Sequence, residues 1–222
     1  MALVKRLLCV SCLICLLESA YAADASANSA LPITPVKTES AVDTPSPGRH
    51  EFSLWGGVSP NSPHFIGAAA ERNLSTLGLR YSRSLKQAGF GTLRYTFDAI
   101  PVAFIRQPVS HGIWEDRTHR ESRFGAGLSP IGVQLNLRPH SRIQPFGEGN
   151  VGFLYFTRPT PYTNTSNFNF TFSLGAGLQT FTVRNRAVSF GYKYHHLSNA
   201  FMVPVNPGVD SNVFYVGYSL FR

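Results

Sequence analysis

Phe168-Asn169-Phe170-Thr171-Phe172-Ser173-Leu174-Gly175-Ala176-Gly177-Leu178-Gln179 changes character at every residue. Phe168, Phe170, Phe172, Leu174, Ala176 and Leu178 share one parity; Asn169, Thr171, Ser173, Gly175, Gly177 and Gln179 share the other. A period of two is the signature of a β-strand with one apolar face. No helical period interrupts the chain from residue 51 onward.

Working outward from this segment, the same alternation predicts eight strands, near residues 51–58, 76–85, 91–105, 123–137, 144–157, 168–179, 187–198 and 211–221. In the fourth, Phe124, Ala126 and Leu128 take one parity and Ile131, Val133 and Leu135 the other. The switch falls at Ser129-Pro130, which reads as a β-bulge, a place where proline is tolerated. The connections alternate in length. Residues 59–75, 106–122, 158–167 and 199–210 make long loops, whereas short turns fall at 87–89, 139–141 and 184–186. Long loops at one end and short turns at the other is the pattern of an outer-membrane barrel, with the long side extracellular. The fold expected is therefore all-β, an eight-stranded antiparallel up-and-down transmembrane β-barrel over residues 51–222. A soluble sandwich or a lipocalin-type barrel would use the same stripes with the apolar face inward. The alternating loop lengths, the C-terminal strand and the N-terminal segment favour the membrane.

That N-terminal segment, residues 1–22, has the parts of a secretory signal: Lys5 and Arg6, an apolar run from Leu7 to Leu17, and an Ala20-Tyr21-Ala22 cleavage site. Residues 23–50 are rich in Ala, Ser, Thr and Pro and read as a flexible linker. All three cysteines, Cys9, Cys12 and Cys15, lie within the signal. The mature chain thus has no cysteine for a disulfide or a thiolate metal site, which suits a bacterial envelope protein better than a small secreted domain. Charged residues make up only 14% of the chain and aromatics 13%, a balance fitting a wall immersed in lipid. The formal charge of +8 is carried without any dense Lys/Arg run, so nucleic acid is not an expected partner. An anionic surface such as lipopolysaccharide phosphates is one; solvated loops account for the charge equally well.

Eight strands leave no channel, because side chains fill the bore. Arg94, Asp98, Gln134, Glu148 and Asn150 fall on the inward parity and form the expected polar plug. His111, Glu115, Asp116, His119 and Glu121 crowd one loop but lack ligand spacing on a regular element, so neither a metal nor a cofactor is expected.

The chemistry gathers near the C-terminus. On strand seven Val188, Phe190, Tyr192 and Tyr194 take the even face, and His196 and Ser198 continue it. On strand eight Phe214, Val216, Tyr218 and Leu220 are even, and Asp210 extends their line. A hydroxyl, an imidazole and a carboxylate thus project outward from one hairpin at the extracellular rim. Residues two apart on a strand are separated by roughly 6.5–7 Å, a gap an imidazole can close. The roles follow nucleophile–base–orienter logic: Ser198 attacks an ester carbonyl, His196 takes its proton, and Asp210 fixes the imidazole tautomer. His195 falls on the inward parity. The bland alternative is that Ser198 and Asn199 begin a turn, Asn206-Pro207-Gly208 makes another, and His196 and Asp210 are interfacial residues.

Tyr194-His195-His196-Leu197-Ser198-Asn199-Ala200, followed by Asn206-Pro207-Gly208-Val209-Asp210-Ser211, resembles the outer-membrane lipid A 3-O-deacylases of the PagL type. Gly127-Leu128-Ser129-Pro130-Ile131-Gly132 and Glu148-Gly149-Asn150-Val151-Gly152 echo it more weakly. The resemblance implies a bacterial outer-membrane hydrolase of the 3-position acyl ester of lipid A. Its partners would be lipopolysaccharide and outer-membrane lipids, with no metal. Ser198 would be the nucleophile, His196 the base, Asp210 the third member, and the backbone N–H of Asn199 an oxyanion-hole donor. Asp210 stands where the family often has Glu, Phe201 where it has Gly, and the chain ends Phe221-Arg222 instead of in a terminal aromatic. Two other functions share the sequence features: a non-enzymatic small barrel, such as an OmpX-like adhesin or structural protein, and a lipid A acyltransferase.

Overall fold

A computed structural model describes residues 49–222. The signal (1–22) and the linker (23–50) lie outside the described residues, except for Arg49 and His50, and His50 already opens the first strand. Eight strands follow: β1 His50–Ser59, β2 Asn73–Ala88, β3 Gly91–His111, β4 Trp114–Leu137, β5 Ile143–Phe156, β6 Phe168–Val183, β7 Arg186–Ser198 and β8 Val209–Phe221. Each pairs antiparallel with its sequence neighbour, and β1 pairs with β8 to close the ring. Closure leaves no open edge around the ring itself, so its strands satisfy one another's backbone donors and acceptors there, as lipid requires.

The two faces sort by chemistry. Leu54, Leu79, Val133, Leu174, Phe190, Phe214 and Val216 are exposed on the outside. Inside lie the cations Arg80, Arg94 and Lys193 and the carboxylates Glu51, Asp98 and Glu148, all buried. Arg80 grips Asp98 with Nε and Nη2, each at 2.8 Å, and reaches Glu148 with Nη1 at 2.6 Å. Tyr215 donates to Glu148 at 2.7 Å and Trp55 Nε1 to Asp98 at 3.1 Å. Lys193 sits over the Trp55 ring, 3.7 Å from its centroid. Nearer the periplasmic end, Gln179 joins Glu51 to Asn136. Buried charges persist most readily when paired and hydrogen-bonded, as Arg80 is with Asp98 and Glu148.

A shift in the pairing of β4 with β5 falls between Leu128 and Ile131, the position of the Ser129-Pro130 bulge. The stretch 106–122 corrects the sequence reading. It is not an open loop but an extension of β3 and β4 that pairs out to His111 and Trp114, with Gly112-Ile113 as its two-residue tip. Above the membrane neither face meets lipid, so this hairpin has no apolar parity for a periodicity argument to detect. There Asp116 is bonded by the Thr118 hydroxyl and by His119, which together hold its carboxyl well below the usual range. Among the described residues no three His, Cys, Asp or Glu side chains are grouped so as to hold a metal ion.

Candidate functional site

His196 and Asp210 are direct cross-strand partners on β7 and β8. Both face outward at the loop end of the barrel. Facing pairs in an antiparallel ladder hold their side chains close together, and here His196 Nδ1 lies 2.6 Å from Asp210 Oδ1. The other carboxylate oxygen accepts three consecutive backbone N–H groups, from Phe65 and Ile66 at 2.7 Å and from Gly67 at 2.9 Å. Such a run of amides makes an anion-binding nest. Tyr194 donates its hydroxyl to Oδ1 at 2.7 Å. Asp210 is completely buried, and every group touching its oxygens can donate, as an ionised carboxylate needs.

The nest belongs to the loop between β1 and β2, which folds across the rim onto the loop before β8. Ala68 N donates to Pro207 O and Ala69 N to Gly208 O. Two glycines make this close approach possible. A Cβ on Gly67 would stand 2.8 Å from the Gly208 carbonyl carbon. Gly208 has a φ of +64°, and a Cβ there would meet His196 Cε1 at 2.8 Å. The imidazole is therefore boxed by Gly208 and Asp210 and lies tilted against Phe172, 37° between ring planes and 5.3 Å between centroids. Of its two nitrogens, Nδ1 is committed to the carboxylate, which leaves Nε2 as the basic one.

Ser198, the last residue of β7, shares the outward face with His196 and is half-buried. Among the described residues no hydrogen bond joins its hydroxyl to the imidazole. In unliganded sites such bonds are often long and tighten only with substrate. His195 points into the bore, where it is buried. The Asn199 N–H, expected from the sequence to be free for an oxyanion, instead donates to Asn206 Oδ1 at 3.0 Å. The reason is local. Asn199 organises its own loop, giving Nδ2 to Val205 O at 2.8 Å and accepting Phe201 N–H on Oδ1 at 2.9 Å. Ala200 and Phe201 both hold positive φ, 49° and 61°, in this tight turn.

The sequence reading missed Tyr194 and the Phe65-Ile66-Gly67 amides. Tyr194 carried a legible signal, being two residues before His196 on the same parity. The amides carried none, because backbone donors brought from 143 residues away leave no trace in side-chain pattern.

The model of the family described as lipid A 3-O-deacylase (PagL) matches residues 77–219. Among solved structures, the outer-membrane enzyme PagL superposes with a TM-score of 0.53 at 20% identity, over 78% of this chain and 99% of that one. Neisserial surface protein A gives 0.45 at 12% identity, over 78% and 97%. OprG from Pseudomonas aeruginosa gives 0.41 at 13% identity, over 79% and 98%. No curated protein sequence matches the chain.

Proposed function

The chain belongs to the lipid A 3-O-deacylase (PagL) family of outer-membrane β-barrels, and from that membership and the rim geometry we propose that it removes the 3-O-acyl chain of lipid A by serine-esterase chemistry in the outer leaflet. The observation that carries the mechanism is the 2.6 Å contact between His196 Nδ1 and Asp210 Oδ1 on the outward face. A buried carboxylate bonded to one imidazole nitrogen leaves the other nitrogen as a base, and Ser198 is the hydroxyl two residues up the same face.

In the first half-reaction His196 Nε2 takes the Ser198 proton while Oγ attacks the ester carbonyl carbon. The tetrahedral oxyanion is received in the 199–201 turn, where the Asn199 N–H exchanges Asn206 Oδ1 for the substrate oxygen. The imidazolium, stabilised by Asp210, returns its proton to the departing sugar 3-oxygen, leaving an acyl-serine. Water then gives a proton to His196 and attacks the acyl carbon. The fatty acid leaves, and the proton returns to Ser198. An outward-facing site at the rim is open to lipid and closed to periplasmic solutes, which fits lipopolysaccharide as the substrate.

The test is Ser198→Ala in a host of known lipid A. Mass spectrometry should show loss of one 3-hydroxyacyl chain with the unaltered protein and an intact profile with the variant. Identical profiles from two folded proteins would refute the reading, and a gain in mass would show transfer onto lipid A instead of hydrolysis.

A further inference from the structure

Asp210 Oδ1 serves two donors at once. His196 Nδ1 approaches it to 2.6 Å and the Tyr194 hydroxyl to 2.7 Å. The sharing is a product of the sheet. Tyr194, His196 and Ser198 follow one another at every second residue of β7, and Asp210 stands directly opposite His196 on β8. Tyr194 lies one step nearer the membrane, opposite Asn212. A phenol is long enough to lean along the strand to the next outward carboxylate. Two rings hold it there: Phe65 packs edge-on against it at 5.6 Å, and Phe172 lies tilted to it at 6.0 Å.

An ionised carboxylate offers about four lone-pair sites, and five donors crowd these two oxygens. The nest fixes Oδ2, and Tyr194 fixes Oδ1. A donor also draws charge from the oxygen it binds, and what Tyr194 draws from Oδ1 is withdrawn from His196. The imidazole needs that restraint. It is buried, and Asp210 is the one ionic group within salt-bridge range of it among the described residues. From β6 it meets the apolar Phe172, its register partner. From the loop before β8 it meets Gly208, and the loop between β1 and β2 sends backbone N–H groups to Asp210. Lys193 and His195, on its own strand, project into the bore. An unrelieved carboxylate would therefore favour the imidazolium, and a base already protonated at rest cannot take the Ser198 proton.

We infer that Tyr194 is a positioning residue of this site: its hydroxyl holds the Asp210 carboxylate in place and tempers its charge, so that His196 rests as a neutral base. This deepens the deacylase reading above and rests on it. Without the phenol hydroxyl, Oδ1 keeps its full charge for Nδ1, the imidazolium gains, and His196 holds its proton to higher pH. A base works only once that proton is gone, so the acid limb of the pH profile moves upward.

The experiment compares Tyr194→Phe with Tyr192→Phe and the unaltered barrel in detergent micelles. Tyr192 is the matched control, one step further down the same face, because its hydroxyl donates to Asn212 Oδ1 at 2.7 Å and not to Asp210. Histidine ¹⁵N NMR follows the pH at which the His196 ring takes up its proton, and kcat/KM for fatty acid release from lipid A is measured across the same range. Tyr194→Phe should move the titration and the acid limb together to higher pH by roughly 0.5–1 unit. Below the limb kcat/KM should fall about three- to tenfold, and on the plateau it should stay within about threefold. Tyr192→Phe should move neither. A limb that stays in place while the rate falls equally at every pH makes Tyr194 a packing residue and overturns the inference, as does a limb that moves down. If Tyr194→Phe does not fold, replacement of Tyr194 by 3-fluorotyrosine keeps the shape with a more acidic hydroxyl. It should move the titration to lower pH, and no movement overturns the inference. The titration needs no turnover, so it separates the two readings. A shifted titration in a barrel that releases no fatty acid overturns the deacylase reading and leaves the link from Tyr194 to His196 standing.

Discussion

Replacing Asp210 by asparagine separates the charge and tautomer of the site from its shape. The carboxylate accepts five hydrogen bonds, three from backbone N–H groups on Oδ2 and two, from Tyr194 and His196, on Oδ1. The backbone donors cannot reverse, so the amide oxygen of the substituted side chain must face the nest. Its NH₂ then points at Tyr194 and the imidazole, which can both accept. The pair of contacts survives, but His196 must carry its proton on Nε2, the nitrogen that would serve Ser198. Bonds to a charged acceptor are worth about 1.5–3 kcal/mol against 0.5–1.5 for neutral ones, and relief from burying a charge offsets part of that difference. The net loss of stability should be about 1–3 kcal/mol. Locking the base in the wrong tautomer costs about 10⁴ in rate in a well-characterised serine hydrolase triad. The expected outcome is a folded barrel whose deacylation falls by about that factor. Initial rates of fatty acid release from lipid A, followed by mass spectrometry, measure it, and imidazole nitrogen shifts report the tautomer. An Asp210→Asn protein that stays folded and keeps more than a tenth of the rate would sink the orienting role of Asp210.

Gly67→Ala places a methyl 2.8 Å from the Gly208 backbone, so it should prise the two rim loops apart, lower deacylation at least tenfold and leave the urea unfolding midpoint of the barrel nearly unchanged. Arg80→Met leaves Asp98 and Glu148 without their shared guanidinium and should cost about 3–5 kcal/mol in a denaturant titration in lipid, with the rate below the transition retained. Phe201→Gly keeps the positive φ, relieves about 1–2 kcal/mol of Cβ crowding and should leave activity within about threefold, whereas Phe201→Val, β-branched where φ is 61°, should destabilise the turn and lower activity with it. Activity lost in the glycine variant would show that the ring, not the backbone, matters there.

Strand number, the inward and outward parities and the bulge at Ser129-Pro130 were legible because lipid on one side and a crowded bore on the other enforce a period of two. Where that enforcement stops, legibility stopped as well. The β3–β4 extension beyond Arg106 is strand by hydrogen bonding, yet its buried residues, such as Gln107 and Ser110, are polar, so no apolar face alternates with a polar one there. At the rim, the even parity of His196, Ser198 and Asp210 gave the shared face; the direct pairing of His196 with Asp210 came only with the β7–β8 register. The commitment of the Asn199 N–H to Asn206 was not legible, because either side of that turn satisfies it equally well on paper. Nor were the donors from Phe65, Ile66 and Gly67, which depend on a loop crossing between strands at opposite ends of the chain.

That crossing ties the site to the seam of the barrel, where β1 pairs with β8. The amides that cradle Asp210 follow β1, the carboxylate opens β8, and the two come together only when the first strand meets the last. A ring not yet sealed lacks the cradle that holds the Asp210 carboxylate.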